Sequence, residues 1–250
     1  MFRHQGKTRT LSHNKKIASL LSFVAGIVNV AGFLSVKRLT TNVTGHFAFF
    51  VEEIFKLNFV ESIIFFFYIL FFFLGSFVSN LLVEFTTKRS ERLIYVIPIV
   101  IESIILFIVA IFGLSLGKSS PNIIAFSLLF AMGLQNSLVT RISNAIVRTT
   151  HLTGLFTDLG IELSQLFFYK EKKQKLKLLS TISIRFRIII FFFIGGIVGG
   201  ILYVSMGLKV LIIPASMLII GLLYDNIKFR ILSWTRRIEK KEKDNIEIKN

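Results

Sequence analysis

The feature that most constrains this chain is the arrangement of its apolar residues, which come in six long blocks: about 17–36, 60–85, 93–115, 121–140, 187–206 and 208–225. A run of 18 or more apolar residues matches the roughly 30 Å hydrocarbon layer at about 1.5 Å per helical residue. Six such runs in 250 residues leave no room for a soluble core of ordinary composition. The fold class expected is therefore all-α, a polytopic membrane helix bundle. The N-terminus carries Arg3, Lys7, Arg9, Lys15 and Lys16 before an apolar run of about twenty residues that lacks a small-residue cleavage site. It reads as an uncleaved signal-anchor.

The net charge of +16 suggests a nucleic-acid partner until the basic residues are placed by loop. With a cytoplasmic N-terminus and six spans, the inner segments hold five basic residues at the N-terminus, three in Lys88–Arg92, nine in Arg141–Arg187 and eight in Lys228–Lys249. The outer side keeps Lys37, Arg38, Lys56, Lys118 and Lys209, a split of 25 against 5. That asymmetry is what the positive-inside rule requires. Charge here sets topology and attracts anionic lipid, and both termini are expected in the cytoplasm. Cysteine is absent, and the four His show no metal-ligand spacing. No cofactor, metal or catalytic set is expected, and the chain is not read as an enzyme.

Three segments recur in the same order. Thr40-Thr41-Asn42-Val43-Thr44-Gly45 returns as Thr149-Thr150-His151-Leu152-Thr153-Gly154, and Phe71-Phe72-Phe73-Leu74-Gly75 returns as Phe191-Phe192-Phe193-Ile194-Gly195. Pro98 is echoed by Pro214, while Gly26 and Asn29 resemble Gly133 and Asn136. The chain thus divides into a basic N-terminus (1–16), a first membrane repeat (17–115), a second (121–225) and a charged tail (226–250). Each repeat has three spans and one TTxxTG segment. Because three is odd, the second repeat must enter the membrane inverted, as in many secondary transporters.

The stretch after each motif glycine is too short and too acidic to span, so both segments are expected to be re-entrant or interfacial. Thr44 or Thr153 is a candidate start for a short helix, whose free N–H groups would face a ligand. Thr40, Thr41, Thr44, Gly45, Thr149, Thr150, Thr153 and Gly154, with Asn29 and Asn136 in the first span of each half, are the candidate substrate-binding residues. Glu53 and Glu162 each follow their motif glycine by eight residues, and Asp158 shares a helical face with Glu162. Glu102 sits mid-block, where a carboxylate is costly and marks function by default. These four acids are the ion-coupling candidates.

The pattern Gly26, Asn29, Gly32-Phe33-Leu34, Thr44-Gly45, then Gly133-Leu134-Gln135-Asn136-Ser137 and Arg148 through Gly154, resembles the YoaK-like family of bacterial integral membrane proteins. The resemblance covers about residues 17–225 and implies a bacterial inner-membrane location, without an established substrate. The function expected is a secondary transporter or permease for a small solute, with a channel or a non-transporting scaffold or assembly protein as alternatives. Membrane lipids and a small-molecule substrate are the expected partners; a homo-oligomer is allowed and nucleic acid is rejected.

Overall fold

The computed structural model describes residues 10–87, 93–225 and 227. The basic residues 3, 7 and 9, the loop residues 88, 89 and 92 and the tail beyond 227 lie outside the described residues. The elements are α1 (Leu11–Val36), α2 (Val43–Phe55), α3 (Phe59–Thr87), α4 (Leu93–Ser119), α5 (Pro121–Ile142), α6 (Leu152–Gln165) and α7 (Lys172–Met206). A 3-10 turn (Gly207–Leu211) then leads into a last helix, α8 (212–225). There is no strand among the described residues.

Five helical runs are long and apolar enough to cross a membrane: Leu11–Val36, Phe59–Thr87, Ile94–Ser115, Pro121–Ile142 and Lys172–Asp225. The last has 54 residues, about 80 Å if straight, far more than one bilayer requires. It is broken at Gly207, whose φ of 56° lies in the region closed to most side chains. Beyond the break, Pro214, Ala215, Leu218 and Leu222 recur at helical spacing and are buried along one face of α8. The helices also begin earlier than the apolar blocks do. α1 starts at Leu11, capped by Thr10, and α7 starts at Lys172, fifteen residues before its apolar block. Helical hydrogen bonding continues where lysines replace apolar side chains.

The sequence also dictates which helices lie inside. α1 and α5 carry small or aliphatic residues all round (Ala18, Ala25, Ala31; Ala125, Ala131, Gly133) and are the most buried spans. The Phe-rich α3 and α7 present Phe66, Phe67, Phe73, Phe77, Phe186 and Phe193 outward. In water such a surface would be an aggregation hazard; against lipid tails it is the ordinary exterior.

Two crossings hold the bundle together. α1 runs parallel to α7, and α3 runs parallel to α5; these are the most extensive helix contacts among the described residues. Both depend on glycine. A methyl group built on Gly26 would lie 2.1 Å from the Phe192 carbonyl oxygen, and one on Gly195 would lie 2.2 Å from that of Phe23. At the other crossing, Gly75 would meet the Phe130 oxygen at 2.1 Å and Gly133 that of Phe72 at 2.2 Å. Ser76 closes this contact with a hydroxyl bond to the Gly133 carbonyl at 3.2 Å. With little hydrophobic drive between helices in lipid, such close backbone approach is the main source of association.

The two first helices of the repeat pattern, α1 and α5, run antiparallel: Gly32 meets Leu128, whereas the Leu21 carbonyl accepts from Gln135 at the other end. α1 is capped by the left-handed Lys37 at φ 53°, whereas α5 is capped by Ser143 and followed by the left-handed Asn144 at φ 52°.

Replacing Gly26, Gly75 or Gly133 by Val should lower stability in detergent by about 2 kcal/mol or more, since backbone rather than a flexible side chain must move. Gly160, with no atom within 4 Å of an added methyl, should accept Ala with no loss. Comparable melting temperatures for Gly133→Val and the wild type would refute the crossing argument.

Candidate functional site

The first TTxxTG segment folds back onto the end of α1. The Thr40 hydroxyl donates to the Val28 carbonyl at 3.2 Å, and the Thr41 hydroxyl to Asn29 Oδ1 at 2.7 Å. Asn42 caps α2 by accepting from the Gly45 N–H at 3.0 Å. The expected helix start at Thr44 is corrected by one residue, to Val43: Asn42 is the cap, because its short carbonyl reaches the N3 amide. Thr44 is exposed, and Gly45 leaves room for Leu39, whose methyl lies 2.4 Å from an added Cβ. Behind Gly45, His46 is fully buried. Its Nε2–H donates to the Leu39 carbonyl and its ring packs 4.7 Å from Tyr68 and 6.0 Å from Phe65. Phe49 against Phe65 and the Ser62 bond to the Phe50 carbonyl complete a seam that presses α2 onto α3.

The second segment shares the sequence but not the packing. Thr149 is buried and accepts from Gln135 Nε2 at 3.0 Å, the same amide that reaches the Leu21 carbonyl at 3.1 Å. α6 begins at Leu152 with His151 as its cap residue and no side-chain cap bond, so the expected start at Thr153 is corrected by one residue. The His151 ring lies over Gly154, 2.5 Å from an added Cβ. Thr150 is half-buried and Thr153 is exposed.

Between this segment and α7 lies a cavity of about 410 Å³. Arg148, His151, Gly154, Asp158, Thr181 and Arg185 line it. Arg185, on α7, closes its far side by pairing with both acids of α6. Nε and Nη2 donate to the two oxygens of Glu162 at 2.8 and 2.9 Å, and Nη1 donates to Asp158 at 2.8 Å. Two carboxylates one helical turn apart need a cation, and a guanidinium fork satisfies both at once. Arg185 was hidden in the sequence among basic residues assigned to topology; the i,i+4 acids facing it were the available signal.

Glu53, the counterpart of Glu162, does something different. It holds the turn after α2 through Lys56 at 3.0 Å and Asn58 at 2.9 Å. The Lys56 hydrogen bond draws its carboxyl below the usual range. Glu102 is buried on α4, and neither carboxyl oxygen has a partner among the described residues. Asn136 Oδ1 likewise has none, whereas its counterpart Asn29 accepts from Thr41. The structure therefore gathers Gly154 and Asp158 at one cavity, with Glu162 behind it. Glu102 and Asn136 stand apart in the bundle interior.

A polytopic helical membrane protein with such a cavity is the class that fold and site define. The profile of the family described as "Protein of unknown function (DUF1275)" matches residues 17–224, and the chain belongs to that family. It is similar to the UPF0700 transmembrane protein YoaK of Bacillus subtilis (strain 168), at 26% identity over 188 residues, 75% of this chain and 83% of the relative. No solved structure matches. A membrane location follows from the family and the apolar runs together.

Replacing Arg185 by Ala should strand Glu162 and Asp158 and lower stability by about 2 kcal/mol, with Lys intermediate because it cannot fork. Neutralising the acids together (Asp158→Asn with Glu162→Gln) in the Arg185→Ala background should recover part of the loss. An Arg185→Ala protein melting with the wild type would show the pair to be an inert surface contact.

Proposed function

We propose that this protein is a secondary transporter or permease for a small solute, working by alternating access between two inverted three-helix halves. The observation that carries this reading is the unequal state of the two TTxxTG ends. At the second, a cavity of about 410 Å³ separates α6 from α7, a volume in the range of small-ligand sites. At the first, His46 and the aromatic seam press α2 onto α3. One end open and its counterpart shut is the arrangement of an inward- or outward-facing state in alternating access.

The inversion is supported by the helix directions. α1 and α5 are antiparallel, and exchanging the halves converts the α1–α7 crossing into the α5–α3 crossing. Gly26 against Phe192 then becomes Gly133 against Phe72, and Gly195 against Phe23 becomes Gly75 against Phe130. Taken with the turn at Gly207, α8 makes a sixth span. The 25-to-5 charge split favours cytoplasmic termini in a bacterial inner membrane, which puts the open cavity on the cytoplasmic side. The TTxxTG helices would then be short re-entrant or interfacial elements, one approaching from each face. Thr44, Gly45, Thr153 and Gly154 would meet solute as each end opens. Asp158, Glu162 and Arg185 would form the charged wall of the inner opening.

The absence of native cysteine allows site-directed spin labels in pairs. One pair at Phe156 and Leu179 reports α6 against α7; another at Phe47 and Phe66 reports α2 against α3. In liposomes, each pair should show two separations, with the long one at one end accompanying the short one at the other. Both ends long together would indicate a channel. A single fixed separation at each end would indicate a scaffold and remove the transport reading.

A further inference from the structure

Among the described residues, seven buried side-chain oxygens on four helices have no hydrogen-bond partner: both of Glu102, and those of Ser22, Ser79, Ser103, Gln135 and Asn136. Buried polar atoms are seldom left so, and a group of them calls for a reason. Five of these residues are 0 or 1% exposed, and Asn136 is half-buried.

Helix register puts all six at one level of the bundle. On α5, Gln135 and Asn136 are adjacent. α1 meets that level at Leu21, whose carbonyl binds Gln135, and the next residue is Ser22. α3 meets α5 where Gly75 abuts Phe130 and Leu134; Ser79 lies one turn further along the same face, and α5 advances in parallel past Asn136. α4 joins α5 across Ser120 alone and packs back along it, with Gly117 against Ile124. Fifteen residues back from Gly117 is Glu102, and fifteen on from Ile124 is Val139, one turn from Asn136. The layer is therefore about five helical residues thick, roughly 7 Å. α5 is the shared neighbour of α1, α3 and α4, and α3 also touches α4.

We infer that this layer binds a small monovalent cation, of the size of Na⁺, with Glu102 as its charged ligand. The donor set is one carboxylate with neutral hydroxyl and amide oxygens, the chemistry of a hard cation. One negative charge in a low-dielectric interior is neutralised by one positive charge; a divalent ion would leave the site charged. A proton on Glu102 would satisfy one or two of the seven oxygens, whereas a cation can draw on several helices together. Close approach at Gly75 and Gly133 keeps the helices too near for a large ion. The layer is not duplicated: the residue placed by the repeated prolines opposite Glu102 is Leu218, so a single site is expected per chain.

Binding is an equilibrium property and stands or falls apart from transport. Purified full-length protein in detergent should gain thermal stability as NaCl replaces choline chloride at constant ionic strength and pH, with a saturable dependence. Glu102→Gln should abolish the Na⁺-specific rise, and Ser79→Ala or Ser103→Ala should weaken the apparent affinity about ten-fold. If Glu102→Gln fails to fold, the serine variants alone decide the question. Equal melting in Na⁺ and choline, a stability that follows only pH, or an undiminished Na⁺ response in the Ser79 and Ser103 variants would overturn the site.

Discussion

Backbone-to-backbone approach at four glycines is the contact on which the rest of this molecule depends. Gly26 and Gly195 let α1 and α7 touch, and Gly75 and Gly133 do the same for α3 and α5. In water, burying the Phe-rich faces of α3 and α7 would drive folding by itself; in lipid those faces are already solvated. What remains is dispersion between closely fitted surfaces and a few hydrogen bonds such as Ser76 to Gly133, all of which fail once a Cβ intrudes. Each crossing also joins the first half of the chain to the second. The halves interlock, and neither could close its own core alone.

This interlocking leaves the short helices as the parts free to differ. α2 and α6 lie outside the crossings, each tied to the bundle by its TTxxTG turn and one neighbouring long helix. Where His46 follows the glycine, a ring fills the space and Tyr68 and Phe65 cover it. Where Leu155 follows, an aliphatic side chain with no hydrogen-bonding group borders the cavity, and the contact with α7 passes to the Arg185 fork. Aromatic packing at one end and a charged clamp at the other differ in how readily water can enter, so equivalent sequence positions yield unequal ends.

Much of the fold was legible because apolar block length and charge are physical requirements of a bilayer. The ends of α3 and α5 came within two residues of the blocks at 60–85 and 121–140. α1 and α7 ran longer, since lysines at 15, 16 and 172–177 sustain a helix without being apolar. The site was legible in part. Repetition drew attention to TTxxTG, but not to the division of labour within it: the first threonines serve the turn, while Thr44 and Thr153 stay exposed. Arg185 was missed because its significance lies in the acids that face it from another helix, and a single sequence does not state its register. Glu102 was legible alone because a mid-block carboxylate is conspicuous without any partner.

The central claim is that the two TTxxTG segments face opposite sides of the membrane. Thr44 and Thr153 occupy equivalent, exposed positions, and single cysteines there in this cysteine-free chain can be tested with a membrane-impermeant maleimide. Labelling at 44 in intact cells only, and at 153 in inside-out vesicles only, is the predicted result. Labelling of both from the same side would make the halves parallel in the membrane and contradict the account.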